Sequence, residues 1–197
     1  YAVQAGVPTV QPVAWTEDLR RDGRRCDVLI TAAIEPVQPL DQFWRELQSD
    51  DDPARRAADM TTLTELLAQM IARSHQAGFE HLDMHAANIL VHRYAPGRFR
   101  TLFVDLYSAR RGVPIRDEAV VRTLAQLNQW FRKNSTIGQR LRFLRAYLRW
   151  RHEYEDLGPY SRPLGLGFAG LVGALTRAAQ QHAQRLGTRR DHRVARD

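Results

Sequence analysis

The run His81-Leu82-Asp83-Met84-His85-Ala86-Ala87-Asn88-Ile89-Leu90-Val91 constrains the fold of this chain more than any other stretch. Its polar residues gather before Ile89 and an apolar run follows. Ala95-Pro96-Gly97 then marks a tight turn, and a second apolar segment ends in Leu102-Phe103-Val104-Asp105. Two short strands over 89–92 and 101–105, joined by that turn, predict a β-hairpin. Asn88 stands at one end of it and Asp105 at the other, so antiparallel pairing brings the two close together.

An Asp followed five residues later by an Asn, with a second Asp after the next strand, supplies two carboxylates and one amide to a common centre. Magnesium prefers hard oxygen ligands in near-octahedral geometry, which carboxylate, amide and phosphate oxygens provide. Phosphoryl transfer asks a protein mainly for positioning and charge neutralisation. Asp83 has to reach the acceptor hydroxyl without being consumed by the metal, and a loop between two short strands separates those roles. A lone His-Asp pair in a loop is usually structural; the joint pattern carries the reading. This is the spacing of the kinase catalytic loop, where the Asp orients the attacking hydroxyl and the Asn and the later Asp hold magnesium.

The 197 residues, 44% hydrophobic and 26% charged, suffice for one domain with a real core or for one lobe of a larger protein. Residues 2–31 read as short strands and turns. Gly6-Val7-Pro8 is a turn, 10–15 is strand-like, Asp22-Gly23 suits a hairpin and 26–31 is a strand. Pro36 and Pro39 interrupt regular structure before a short helix opens at Leu40. Strand, linker and helix would form a hinge between two lobes; a small sheet capping a helical domain is the plainer alternative. Asp50, Asp51 and Asp52 favour the positive end of the next helix. Leu63, Leu66, Leu67, Met70 and Ile71 mark its core face, and Gly78 its end. Further stripes, Val120, Val121, Leu124, Leu127 and Phe131, then Leu141, Leu144, Tyr147 and Leu148, predict two more helices. Gly158-Pro159 breaks the run, 165–173 reads as loose, and a final helix reaches about Leu186. The Arg-dense residues 188–197 read as a frayed or disordered tail.

The net charge of +7 favours an anionic partner: nucleic acid, an acidic membrane surface or a phosphorylated substrate. Lys133 is the only lysine and the other basic residues are arginines, a bias of little functional weight. Arginines at helical spacing usually form a solvated face, which disfavours nucleic acid. His75, His152, His182 and His192 are too scattered for a metal cluster, and the four tryptophans read as core or groove lining. Cys26 is the single cysteine, which excludes a disulfide framework and points to a reducing, cytoplasmic setting. No apolar run approaches the roughly 18 residues of a membrane span. The chain opens on Tyr1 with no signal peptide, as an excised fragment would.

Residues 81–91 and 104–111 resemble the lipopolysaccharide kinase family, the bacterial Kdo and core-heptose kinases of the protein-kinase-like superfamily. His-x-Asp-x-x-x-x-Asn-Ile-Leu is shared with aminoglycoside and choline kinases. Val104-Asp105-Leu106-Tyr107-Ser108-Ala109-Arg110 looks like the Asp-Leu-x-x-Ala-Arg form of the lipopolysaccharide kinases, and residues 6–12 resemble their segment after the helix with the structural Glu. The resemblance covers roughly residues 5–150. It implies an α+β, mainly α fold: a remnant of a β-rich N-terminal lobe with hinge over 1–38 and a helical C-terminal kinase lobe over 39–187.

The resemblance further implies Asp83 as catalytic base or hydroxyl-orienting residue, Asn88 and Asp105 as magnesium ligands, and His81 as a support of the loop. His85 stands where protein kinases carry a Lys that meets the transferred phosphate; it serves here as donor or merely packs. Adenine would lie on 26–39, with backbone contacts near Ile34 and Glu35. The chain carries no Gly-rich phosphate loop, no strand Lys and no Glu partner for it. Tyr107 replaces the Gly of Asp-Phe-Gly, and Ala-Pro-Glu is missing, which argues against a long activation segment. The expected activity is ATP- and magnesium-dependent phosphorylation of a hydroxyl, on a sugar of a lipopolysaccharide core or similar glycolipid. Arg140, Arg142, Arg145, Arg149 and Arg151 would meet the acidic inner face of the cytoplasmic membrane peripherally. A scaffold without transfer activity and an aminoglycoside- or choline-kinase-like enzyme are the alternatives.

Overall fold

The computed structural model describes residues 2–194. It opens with a hairpin of β1 (Pro12–Arg21) and β2 (Arg24–Thr31). Asp22 and Gly23 turn the chain with φ of 53° and 74°, the double left-handed geometry that matches the twist of paired strands. The hairpin is the most solvent-exposed part of the fold, with Val13, Leu29 and Ile30 facing water. Trp15, expected in the core or a groove, is 72% exposed there.

The next strand, β3 (Val37–Pro39), follows Pro36 and takes in Pro39, the two prolines expected to interrupt regular structure. It pairs antiparallel with β5 (Ile89–Ala95), which in turn pairs with β6 (Arg98–Phe103). Pro39 ends the strand at the sheet edge, where its missing N–H costs no ladder bond. Residues 8 and 9 run alongside β6: Phe103 N donates to Pro8 O at 2.9 Å, and Thr9 Oγ1 donates to Phe103 O at 2.8 Å.

The helices follow the apolar stripes. Helix α1 (Leu40–Gln48) buries Leu40, Phe43, Trp44 and Leu47. Helix α2 (Pro53–Gln76) starts at Asp52, whose carboxylate accepts from the N–H groups of Ala54 and Arg55, with Pro53 in the first turn. It buries Leu63, Leu67, Met70 and Ile71, while Leu66 is half-buried. The next strand is β4 (Phe79–Glu80). Gly78 leads into it with φ of 70°, and an added Cβ would lie 2.6 Å from Tyr160 Cβ, so only glycine fits. Strand β7 (Arg110–Arg111) pairs with β4. Helix α3 (Asp117–Asn134) follows. Helix α4 (Ile137–Glu153) begins with the reciprocal Thr136–Gln139 cap and lies along α2.

Helix α5 (Phe168–Val194) starts inside the segment read as loose, and its backbone continues past Leu186 to Val194. Residues 195–197 of the expected tail lie outside the described residues. Between α2, α3, α4 and α5 lies a partly open apolar cavity of about 420 Å³, lined by Leu67, Leu127, Phe131, Leu144 and Leu175 among others.

On α4, Arg142, Arg145 and Arg149 are exposed, and each also makes a contact within the fold. Arg149 pairs with Glu65, Arg142 donates to Thr61 Oγ1 at 3.2 Å, and the Arg145 guanidinium lies 4.9 Å from the centre of the Phe168 ring. Arg140 lines the apolar cavity. Arg151 is buried at 2% exposure and donates to Arg162 O at 3.0 Å, so it takes no part in any surface contact.

Candidate active site

The site is built at the base of the β5–β6 hairpin. Ile89 pairs with Phe103, and one step further Val104 N donates to Asn88 O at 3.0 Å. Asn88 therefore lies next to the chain that leads into Asp105, as the two apolar strands predict. The turn at 95–97 sits at the far end, between Ala95 and Arg98.

His81 ties the loop to the hairpin. Its Nδ1 accepts from Asp83 N at 3.2 Å, which leaves the proton on Nε2 to donate to Val104 O at 2.9 Å. Burial lowers the pKa of His81, and the Val104 carbonyl and the carboxylates of Asp83 and Asp105 act against that shift. A neutral ring with one donor and one acceptor is the form that both bonds need. His81 is thus the loop support that the family resemblance implies.

The Asp83 carboxylate is shared between two partners. Asn88 Nδ2 donates to Oδ2 at 3.1 Å and to the Asp83 carbonyl at 2.9 Å, while His85 Nε2 lies 2.7 Å from Oδ1. The Asp83 carbonyl also accepts from His85 N at 2.9 Å. The Asp83 and His85 side chains are about half exposed, 47% and 52%, so a substrate hydroxyl can reach them.

Asp105 follows β6 with φ of 54° and ψ of 57°. The left-handed region is uncommon outside glycine, and holding a residue there costs about 1 kcal/mol. The strain re-aims the chain just after the strand and leaves the Asp105 carboxylate exposed, with no hydrogen bond or ion pair among the described residues. Because Asn88 spends its Nδ2 on Asp83, its Oδ1 is the atom left for a cation. One carboxylate and one amide oxygen beside open solvent suit magnesium, which keeps several waters and takes the rest of its ligands from phosphates. Among the described residues no three His, Cys, Asp or Glu side chains gather into a metal cluster. The donor set fits a cation shared with a nucleotide rather than one caged by protein alone.

Ile34 and Glu35 lie on the segment between β2 and β3, Ile34 half-buried and Glu35 exposed. No hydrogen bond joins their side chains to the loop of Asp83 among the described residues. Sequence reasoning missed two further supports. Arg122 on α3 pairs with the buried Glu80, which precedes the loop. One helical turn later, Gln126 Nε2 donates to Leu82 O at 2.9 Å and Gln126 Oε1 accepts from Met84 N at 3.3 Å. The i, i+4 spacing of Arg122 and Gln126 was visible, but nothing in the sequence aims that face at the loop.

A mainly helical lobe, a hairpin with Asn88 and a following Asp at its base, and an Asp held by a buried His define a protein of the protein-kinase-like class. The lipopolysaccharide kinase (Kdo/WaaP) family profile matches residues 2–147. The chain belongs to that family. It is 28% identical over 152 residues to the lipopolysaccharide core heptose(I) kinase WaaP of Pseudomonas aeruginosa, across 74% of this chain and 55% of that protein. The chain thus matches about half the length of this curated relative. A solved structure of WaaP in complex with acyl carrier protein superposes with a TM-score of 0.66 at 26% identity, covering 91% of this chain and 71% of that one. No helix among the described residues is long and apolar enough to cross a membrane.

Proposed function

We propose that this chain carries the acceptor- and metal-binding half of a kinase that moves the terminal phosphate of ATP to a hydroxyl of a lipopolysaccharide core sugar. The observation that carries this is the convergence of Asp83, Asn88 and the strained Asp105 at one end of a hairpin, tied together by His81. Asp83 orients the acceptor hydroxyl and takes its proton, and His85, bonded to the same carboxylate, holds that carboxylate in place. Asn88 Oδ1 and Asp105 hold magnesium, which supplies charge neutralisation on the phosphates. Ile34 and Glu35 offer backbone groups to the adenine, on the reading that residues 1–38 are lobe remnant and hinge and 39–187 the helical lobe.

The net charge of +7 suits an anionic glycolipid met at the inner face of the cytoplasmic membrane. The arginines to test there are the exposed Arg142, Arg145 and Arg149 of α4, together with Arg20, Arg24 and Arg25 of the exposed β1–β2 hairpin; the buried Arg151 is not among them. The acyl carrier protein seen with the solved relative carries over to this chain as a candidate partner.

The test is phosphate transfer from ATP to purified lipopolysaccharide core by the intact protein. Asp83→Ala should abolish transfer and leave the circular dichroism spectrum unchanged, and Asp105→Asn should weaken magnesium-dependent nucleotide binding. Transfer that survives Asp83→Ala refutes the assignment. Nucleotide binding with no transfer by the unaltered protein turns the reading to a scaffold.

A further inference from the structure

We propose that Gln126 is a positioning residue for phosphoryl transfer: from α3, its side-chain amide fixes the two peptide groups that flank Asp83. This rests on the kinase reading above.

The peptide groups of Asp83 itself are satisfied within the loop. Its N–H goes to His81, and its carbonyl accepts from His85 N and Asn88 Nδ2. The carbonyl before it, on Leu82, and the N–H after it, on Met84, both turn to Gln126. A side-chain amide is suited to this because it carries a donor and an acceptor side by side. Lys and Arg offer no acceptor, and ionised Glu offers no donor. The two bonds act on the peptide planes on either side of the Asp83 Cα and so fix the direction of the Cα–Cβ bond that carries its carboxylate. Packing supports the same direction: the Met84 side chain is buried, and Arg122 grips Glu80 one turn up the same helix.

Simple helix–loop packing predicts something different from this clamp. Packing would be restored by any side chain of similar volume, whereas the clamp needs both a donor and an acceptor. Gln126→Glu separates the two. It keeps the acceptor for Met84 N–H but sets a carboxylate oxygen against the Leu82 carbonyl, and protonation of that carboxylate restores the donor.

The experiment combines steady-state kinetics with amide hydrogen exchange on the intact protein and its Gln126→Ala and Gln126→Glu variants. Loss of both bonds in Gln126→Ala should lower kcat by roughly tenfold or more with KM for ATP nearly unchanged. The ratio of Gln126→Glu to unaltered kcat should rise as the pH falls toward the carboxylate pKa. Exchange over the 82–85 peptide should accelerate in Gln126→Ala, with α3 itself unchanged. Unchanged kcat in Gln126→Ala, or a Gln126→Glu ratio that stays flat with pH, overturns the proposal. If the unaltered protein transfers no phosphate, the kinase reading fails by that result alone. The exchange measurement then still decides whether the clamp exists, and unaltered exchange refutes it.

Discussion

Asn88 reaches Asp83 twice from one amide nitrogen, at 2.9 Å to the carbonyl and 3.1 Å to Oδ2. The side chain assigned to the cation is therefore also what orients the group assigned to the acceptor. Asn88→Ala removes both functions at once. The expected result is a fall in kcat of roughly 10- to 100-fold together with a higher magnesium requirement, read from kinetics at several magnesium concentrations.

His85 touches the other carboxylate oxygen of Asp83, at 2.7 Å. If it orients the carboxylate rather than building the loop, His85→Ala should fold normally and lose activity by roughly tenfold, and His85→Gln should recover part of the loss. Melting temperatures of the two variants, measured beside their kcat values, separate orientation from folding.

The Arg122–Glu80 pair joins a buried carboxylate to a half-exposed guanidinium. Arg122→Ala leaves Glu80 buried without its counter-charge and should cost about 3 kcal/mol of stability. Adding Glu80→Gln should return a large part of that loss. Urea unfolding of the single and double variants checks it, and a double variant no more stable than Arg122→Ala would show that the charge is not the cause.

His75 is wholly buried and bonds Tyr147 Oη through Nδ1 at 2.8 Å. Burial, helped by nearby Arg151, lowers its pKa from 6.5 to about 3. The unfolded chain therefore takes up this proton before the folded one does. The associated stability is full above pH 6.5 and is lost as the pH falls toward 3. At about pH 5 the loss from this residue should be about 2 kcal/mol. His75→Gln keeps an acceptor for Tyr147, so its stability should change less between pH 7 and pH 5. Denaturant midpoints at the two pH values decide the point.

The parts legible in the sequence are those whose signal is local. The β5–β6 hairpin follows from two apolar runs and one Pro-Gly turn, and α2 from a five-residue stripe and its Asp52 start. The Asp83–Asn88 spacing and the Asp105 position encode their own proximity through strand pairing. What stayed hidden depends on contacts distant in the chain. Strand β3 is three residues that follow Pro36 and include Pro39, too short for any period, and exists because β5 offers it a partner more than fifty residues away. Arg151 looks like its exposed neighbours on α4 yet points inward, where Arg162 O receives it. Trp15 reads as core by composition but sits on a hairpin whose faces meet solvent. Gln126 has the look of an ordinary surface glutamine, and its two loop contacts span more than forty residues.

The β5–β6 hairpin is held along its length: β3 pairs with β5, Phe99 packs on Phe43, and Arg93 pairs with Glu46. Val104 N to Asn88 O closes its base, while the 95–97 turn lies about 20 Å away at the rise of a strand. Residues added in pairs at the tip lengthen the ribbon without disturbing the rungs below. A single residue deleted between tip and base reverses which face every later side chain takes, and Asn88 and Asp105 fall out of step. Natural length variation should therefore collect at the tip, and a reporter peptide inserted at residue 96 should leave the Asn88–Asp105 end intact.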